Sequence, residues 1–177
     1  MTSGKDIREM GSGNIGATNV HRTMGRKAGL VVLLLDICKG FLAVWLAAAA
    51  THWNVIAVAL SIAAVMLGHC YPVFLRFKGG KAVACFIGAF LFVAPLALLA
   101  VAALFALIVF LSKYISLGSI LGALMFPFVY WLVYHPPSPL LGAAVFAALL
   151  IIYRHRANIA RLRAGNEHIF SVKGKAA

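Results

Sequence analysis

The sequence predicts an all-α integral membrane protein, a polytopic bundle of six transmembrane helices with its functional polar segments gathered on the cytoplasmic side. Three observations predict it. Hydrophobic residues make up 63% of the 177 residues and charged residues only 11%, far from the balance of a soluble domain. The apolar residues fall in long runs divided by short polar connectors. The basic residues gather in alternate connectors, as they do when one membrane face is cytoplasmic.

The chain opens on 27 polar, Gly-rich, basic residues, which do not read as a secretory signal. Apolar runs follow at about 29–51, 54–75, 82–112, 117–134 and 139–153. Four of them have the length of one span, since crossing the hydrocarbon takes about 20 residues. The run at 82–112 is longer. As one straight helix it would reach about 46 Å, against a hydrocarbon core of about 30 Å. Pro95 stands near its middle, where a helix can break. Charge decides between one crossing and two. Lys5, Arg8, Arg22, Arg26 and Lys27 precede the first run, Arg76, Lys78 and Lys81 lie between the second and third, and Arg154, Arg156, Arg161, Arg163, Lys173 and Lys175 follow the last. The connectors around His52 and His135 hold no Lys or Arg. Two crossings put all three basic clusters and Lys113 on one face, which gives six spans with both termini in the cytoplasm. The whole chain, 1–177, reads as a single domain.

Sixteen Lys and Arg against four acids would point to nucleic acid in a soluble protein. Flanking apolar runs, they point instead to membrane lipids or phosphorylated substrates, with no nucleic acid. Cys38, Cys70 and Cys85 show no paired spacing, so neither a disulfide frame nor a zinc site is indicated. Asp36 and Lys39, three apart in the first span, can face each other. They read as a structural pair orienting that helix, with a direct substrate role as the alternative.

Three polar segments share the basic face: 11–27, 68–84 and 153–170. The first, GSGNIGATNVHRTMGRK, contains a G-x-G-x-x-G in Gly11, Gly13 and Gly16, with Asp36 twenty residues on. No strand precedes those glycines and a membrane span follows, so the dinucleotide reading is rejected. What remains is a flexible loop rich in hydrogen-bonding groups (Ser12, Asn14, Thr18, Asn19) ending at Arg22. The second, GHCYPVFLRFKGGKAVA, places Gly79 and Gly80 before Lys81 at a helix start, an arrangement that suits a phosphate. It is no Walker A motif, because the glycine spacing is wrong and Ala82 stands where Ser or Thr would be needed. In the third, YRHRANIARLRAGNEHIF, a continuous helix would put His155, Asn158 and Leu162 on one face, and Arg156, Arg163 and Glu167 elsewhere. Singly, the three could be a polar connector, a glycine turn and a basic interfacial helix. Together they offer glycine backbone, Arg, Lys, Asn, Ser and His with almost no carboxylate. That set accepts phosphate and does not suit a divalent metal.

These segments carry a family resemblance. SGNIGATNVHR (Ser12 to Arg22), GHCYPVFLRFKGGKAVA and HRANIARLRAGNE (His155 to Glu167), with DICKG (Asp36 to Gly40) between, resemble in order and spacing the bacterial membrane glycerol-3-phosphate acyltransferases that use acyl phosphate, the PlsY family. Members resembling this chain have seven spans with the N-terminus outside. Here the first is absent, and the sequence begins in the cytoplasmic loop that would follow it. Smaller departures are Ala82, where the family usually has another Gly, Cys85, where Thr is common, and Ala157, where an acid is frequent.

The resemblance implies acyl transfer from acyl phosphate to the 1-hydroxyl of glycerol 3-phosphate, giving lysophosphatidic acid and phosphate, with no cofactor and no metal. It implies a multi-pass protein of the bacterial inner membrane with a cytoplasmic site. Arg22 and Lys81 would clamp phosphate. Gly79 and Gly80 would supply backbone donors, and Gly13, Asn14 and Asn19 would join in substrate binding. Ser12, His155 and Asn158 would orient the hydroxyl and the acyl phosphate, and Glu167 looks structural. The donor's own phosphate would take the proton, with His155 as general base the rival mechanism. Acyltransferases with His followed five residues later by Asp are excluded, because no such pair occurs. CDP-alcohol phosphotransferases need several aspartates, and only Asp6 and Asp36 exist. A transporter of phosphorylated solutes would need a polar path across the bilayer, which the clustering of polar residues at one face disfavours. An inactive lipid-binding paralogue is the remaining alternative.

Overall fold

A computed structural model describes residues 6–170, so Lys5, Lys173 and Lys175 of the basic clusters lie outside the described residues. A short helix α1 (Ala17–Met24) leads into α2 (Arg26–Ala50), α3 (Val55–Cys70), α4 (Val83–Val93), α5 (Pro95–Ser112), α6 (Ile115–Tyr134), α7 (Ser138–Arg154) and α8 (Arg156–Arg163). The boundaries have local causes. Asn54 caps α3, its side chain accepting from the N–H groups of Ile56 and Ala57. Pro95 opens α5 at a position where its missing N–H costs nothing.

The long apolar run is not one helix. It breaks at Ala94, and contacts at both ends show that the chain turns back there. Phe92, at the end of α4, packs edge-on against Trp53 in the α2–α3 turn, with ring centroids 5.1 Å apart. At the start of α5, the Leu96 N–H donates to the Tyr134 hydroxyl at the end of α6, at 3.1 Å. At its other end, the Lys113 carbonyl accepts from the Phe170 N–H at 2.9 Å. From α2 to α7 the helices therefore alternate in direction. The connectors near His52, Ala94 and His135 share one end of the bundle, and α1, the glycine turn, Lys113 and the C-terminal segment share the other.

Four stretches are each long and apolar enough to cross a membrane: Arg26–Ala50, Val55–Leu75, Pro95–Ser112 and Ile115–Tyr134. The seventeen residues of α7 are apolar as well, and α8 leaves it at an angle of 54°. At eleven residues α4 spans only about 16 Å. It lies inside the bundle, where it packs closely on α2. A side chain at Gly40 would collide with the Cys85 backbone, and one at Gly88 with the Ile37 carbonyl, so the small residues set the interhelical distance. Phe86, Phe90, Phe126 and Tyr130 form a buried aromatic column between α4 and α6. The α7 face turned inward is a run of alanines, Ala143, Ala144, Ala147 and Ala148. Leu35, Leu60, Leu99, Phe110, Leu132 and Leu149 face outward instead. A surface this apolar belongs in lipid.

Candidate active site

The expected flexible loop of the first segment is instead tied down around Asn19. Its side chain is buried, and its amide nitrogen donates to the carbonyls of Met10 at 2.9 Å and Asn14 at 2.8 Å. Its Oδ1 accepts from the Ser12 N–H at 2.9 Å. Asn14 in turn accepts from the Gly16 N–H at 2.8 Å. These contacts start α1 at Ala17 and present Ser12 and Arg22 from its two ends. Asn19 spends both amide N–H groups on the loop and keeps only part of its Oδ1 free, so its contacts make it the staple of the loop. The hydroxyl of Ser12 and the guanidinium of Arg22, by contrast, have no hydrogen-bond partner among the described residues.

The second segment also departs from expectation. The Gly80 N–H donates to the His69 carbonyl and the Gly79 N–H to the Cys70 carbonyl, both at 3.1 Å. The two glycines are therefore not the free donors expected of them. They make a turn that nothing larger could make, since a side chain at Gly79 would strike the His69 carbonyl and one at Gly80 the His69 ring. Arg154, at the end of α7, clamps this turn, donating to the Gly80 carbonyl at 3.0 Å and the Gly79 carbonyl at 2.8 Å. Ala82 then caps α4 in the left-handed region, at φ 60°. No side chain caps this helix start, so the free N–H groups lie in the first turn of α4.

The third segment does not run on as a helix. It ends at Arg163, and Gly165 turns the chain at φ 69°. Glu167 is thereby brought back against the helix and buried, rather than lying on another face. Its carboxylate accepts from Asn158 Nδ2 at 2.7 Å, Arg161 Nε at 2.7 Å and Ser116 Oγ at 3.0 Å. The Asn158 amide is thus oriented with Oδ1 towards Lys81, whose Nζ donates to it at 2.5 Å. Burial works to raise the Glu167 carboxyl, but donors from Asn158, Arg161 and Ser116 outweigh it and hold the group below its ordinary range.

Burial pushes the Lys81 ammonium down to about 8, with Glu167 opposing the shift and Arg161, Arg154 and Arg22 adding to it. His155, in the turn between α7 and α8, is pushed down to about 4, chiefly by burial and then by Lys81. Its Nδ1 lies 2.8 Å from the Ile151 carbonyl. A neutral ring bonded in this way keeps its proton on Nδ1 and leaves the Nε2 lone pair free.

One cavity of about 560 Å³ gathers these groups. Ser12, Asn14, Asn19, Arg22, Lys81, His155 and Asn158 line it, as do Asp36 and Glu167. Gly13, Gly79, Gly80 and Lys39 do not. The cavity continues between helices along Leu30, Leu33, Ile87, Phe105 and Ile115. Its lining therefore combines cationic and hydrogen-bonding groups with apolar side chains, a chemistry suited to a phosphorylated head and an acyl chain.

The family model for glycerol-3-phosphate acyltransferase matches residues 1–165. The chain belongs to the glycerol-3-phosphate acyltransferase family. Glycerol-3-phosphate acyltransferase of Geobacter sulfurreducens is 48% identical over 168 residues, 95% of this chain and 86% of that protein. The protein of that name from Syntrophotalea carbinolica is 44% identical over 170 residues, 96% and 86% of the two chains. The crystal structure of PlsY, an integral membrane glycerol 3-phosphate acyltransferase, in its glycerol 3-phosphate form superposes with a TM-score of 0.91. Identity there is 39%, covering 96% of this chain and 84% of that one. Its lysophosphatidic acid form gives a TM-score of 0.85 at 38% identity.

In this acyltransferase the ion pair read from the sequence is present, with Lys39 Nζ 2.5 Å from Asp36 Oδ1. Sequence reasoning missed His69, Arg154, Arg161 and Ser116. Three are basic or titratable residues whose positions could be explained by orientation in the membrane, and Ser116 sits in an apolar run. Only contacts between distant segments distinguish them.

Proposed function

We propose that this membrane enzyme moves a fatty acyl group from acyl phosphate to the 1-hydroxyl of glycerol 3-phosphate, at a site facing the cytoplasm. The observation that carries the reading is that Lys81, Arg22 and Ser12 line the same cavity as the apolar side chains Leu30, Leu33, Ile87, Phe105 and Ile115. Lys81 spends one donor on Asn158 and keeps two. With Arg22 and the free N–H groups of α4 it makes a clamp for phosphate oxygens. Leu30, Leu33, Ile87, Phe105 and Ile115 accept the acyl chain.

The hydroxyl oxygen attacks the acyl carbon, the bond from that carbon to the phosphate oxygen breaks, and phosphate leaves with the electron pair. The oxyanion formed on the way is stabilised by the positive charge and donors already in place. The proton goes to the departing phosphate. Burial and then Lys81 hold His155 below its ordinary range, so the neutral ring offers Nε2 to accept from and orient the hydroxyl. Ser12 and Asn158 complete that orientation.

The site sits at the end of the bundle that holds the basic connectors, and the turns at the other end lack Lys and Arg. This charge asymmetry supports a cytoplasmic site and six crossings of a bacterial inner membrane, one of them by the short α4. Purified protein should use acyl phosphate and not acyl-coenzyme A, with full activity in chelator. Robust transfer from the thioester would sink the assignment. Single cysteines at the exposed positions Lys78 and Asn166 should be labelled in cells only after permeabilisation, and labelling of position 166 from outside would overturn the orientation.

A further inference from the structure

His69, at the end of α3, lies directly beneath the glycine turn. Its carbonyl accepts the Gly80 N–H at 3.1 Å, and a side chain at Gly80 would collide with its Nε2. On the other edge of the ring, Nδ1 is 2.8 Å from Lys39 Nζ and 3.5 Å from Asp36 Oδ1. An ammonium has donors only, so the 2.8 Å contact requires Nδ1 to accept. A hydrogen on Nδ1 would set two donors against each other at that distance. The neutral ring therefore carries its proton on Nε2.

That N–H has no acceptor among the described residues, yet it is not sealed away. The buried side-chain atom without a partner among those residues is His21 Nε2, not His69 Nε2. His69 lines the cavity beside Lys81 and Ala82. We propose that His69 donates from Nε2–H to an anionic oxygen of the substrate phosphate held at the Lys81 turn, with Lys39 fixing the tautomer and Asp36 fixing Lys39. The assignment rests on the acyl-phosphate and glycerol 3-phosphate reading of the same cavity.

The arrangement gives the Asp36–Lys39 pair a purpose at a depth where charges are expensive. Donation into Nδ1 polarises the imidazole and strengthens the opposite N–H. The phosphate gains a donor without a third full charge being buried beside Lys81 and Arg22. Gly80 has to be glycine because the donating edge of the ring occupies the space of its side chain.

The test compares acyl transfer by His69→Phe, His69→Gln and His69→Asn, per molecule folded by detergent gel filtration. A glutamine amide reaches about as far as Nε2, and an asparagine amide about as far as Nδ1. His69→Phe and His69→Asn should lose about ten- to a hundredfold in kcat/KM, and His69→Gln should stay within about tenfold of wild type. Near-normal turnover by His69→Phe, or His69→Asn outperforming His69→Gln, overturns the proposal. If the variants do not fold, nitrogen-15 histidine NMR of the full wild-type chain decides. A neutral ring protonated on Nε2, whose Nε2–H signal moves when inorganic phosphate is added, is expected. A ring protonated on Nδ1, or no response to phosphate, overturns it. Absence of any transfer by wild type would instead strike the acyl-transfer reading and leave this NMR outcome to stand alone.

Discussion

On the side of the cavity built from Lys81 and the C-terminal segment, the polar groups already satisfy one another. Lys81 bonds Asn158, Asn158 bonds Glu167, and Glu167 holds Arg161 and Ser116 as well. On the side built from the first segment, the Ser12 hydroxyl and Arg22 guanidinium have no partner among the described residues, while Asn19 behind them spends its amide on the loop. The first side is assembled before substrate arrives. The second waits for it. A satisfied network rigidifies and positions, whereas an unpartnered cation keeps its binding energy for the ligand. Substitutions on the two sides should therefore separate stability from catalysis.

The largest effect is expected at Glu167. Glu167→Ala removes one acceptor from three donors in a buried setting and should cost about 2–4 kcal/mol of stability, seen as a lower thermal midpoint in detergent, with activity lost alongside. An unchanged midpoint would mean that this side is not assembled as described. At Arg22 the pattern reverses. Arg22→Ala should keep the midpoint while kcat/KM falls by tens to hundreds of fold, because a charge-assisted hydrogen bond is worth about 1.5–3 kcal/mol.

Lys81 belongs to both sides. Lys81→Ala should also cost tens to hundreds of fold in kcat/KM at about 1.4 kcal/mol per tenfold, and Lys81→Arg should recover little, since a planar fork does not replace a compact ammonium in this turn. Its pH dependence carries a definite sign. With the folded group at about 8 and the ordinary value at 10.5, the unfolded chain binds more protons between those values, so this residue makes stability rise with pH across that window. Substrate binding needs the ammonium, so kcat/KM should fall above about pH 8 while the thermal midpoint does not. A profile flat through pH 9 would remove Lys81 from the phosphate clamp.

The smallest effect concerns the turn. Ala82 adopts φ 60° while fully buried, a conformation that is costly for a residue with a Cβ. Ala82→Gly should raise stability by about 0.5–1 kcal/mol with activity retained. A loss of stability would show that the methyl group's packing outweighs the backbone strain.

How far the sequence reveals these two sides differs in the same way. Hydropathy runs and alternating basic connectors were enough to anticipate the helices and the reversal at Pro95, because they reflect a solvent boundary that acts on every residue. That three polar segments would meet could be read because, at one membrane face, they have few places to go, whereas the choice of Ser12, Arg22, Lys81, His155 and Asn158 within them came from the family resemblance. Glu167 could not be placed by helical periodicity, since Gly165 ends the helix and folds the chain back. The glycine N–H groups looked free because their acceptors, the carbonyls of His69 and Cys70, lie about ten residues away across a 3₁₀ turn. Arg154 reads in the sequence as one more orienting charge, because the glycine carbonyls it donates to lie more than seventy residues away.

The most direct measurement follows both products of one reaction. Purified protein would be given acyl phosphate with and without glycerol 3-phosphate, and phosphate and lysophosphatidic acid would be quantified over time. The account predicts that the two products appear in equal amounts, and that phosphate release depends on glycerol 3-phosphate and collapses in Arg22→Ala. Phosphate release that ignores glycerol 3-phosphate, or lysophosphatidic acid formed at the wild-type rate by Arg22→Ala, would contradict it.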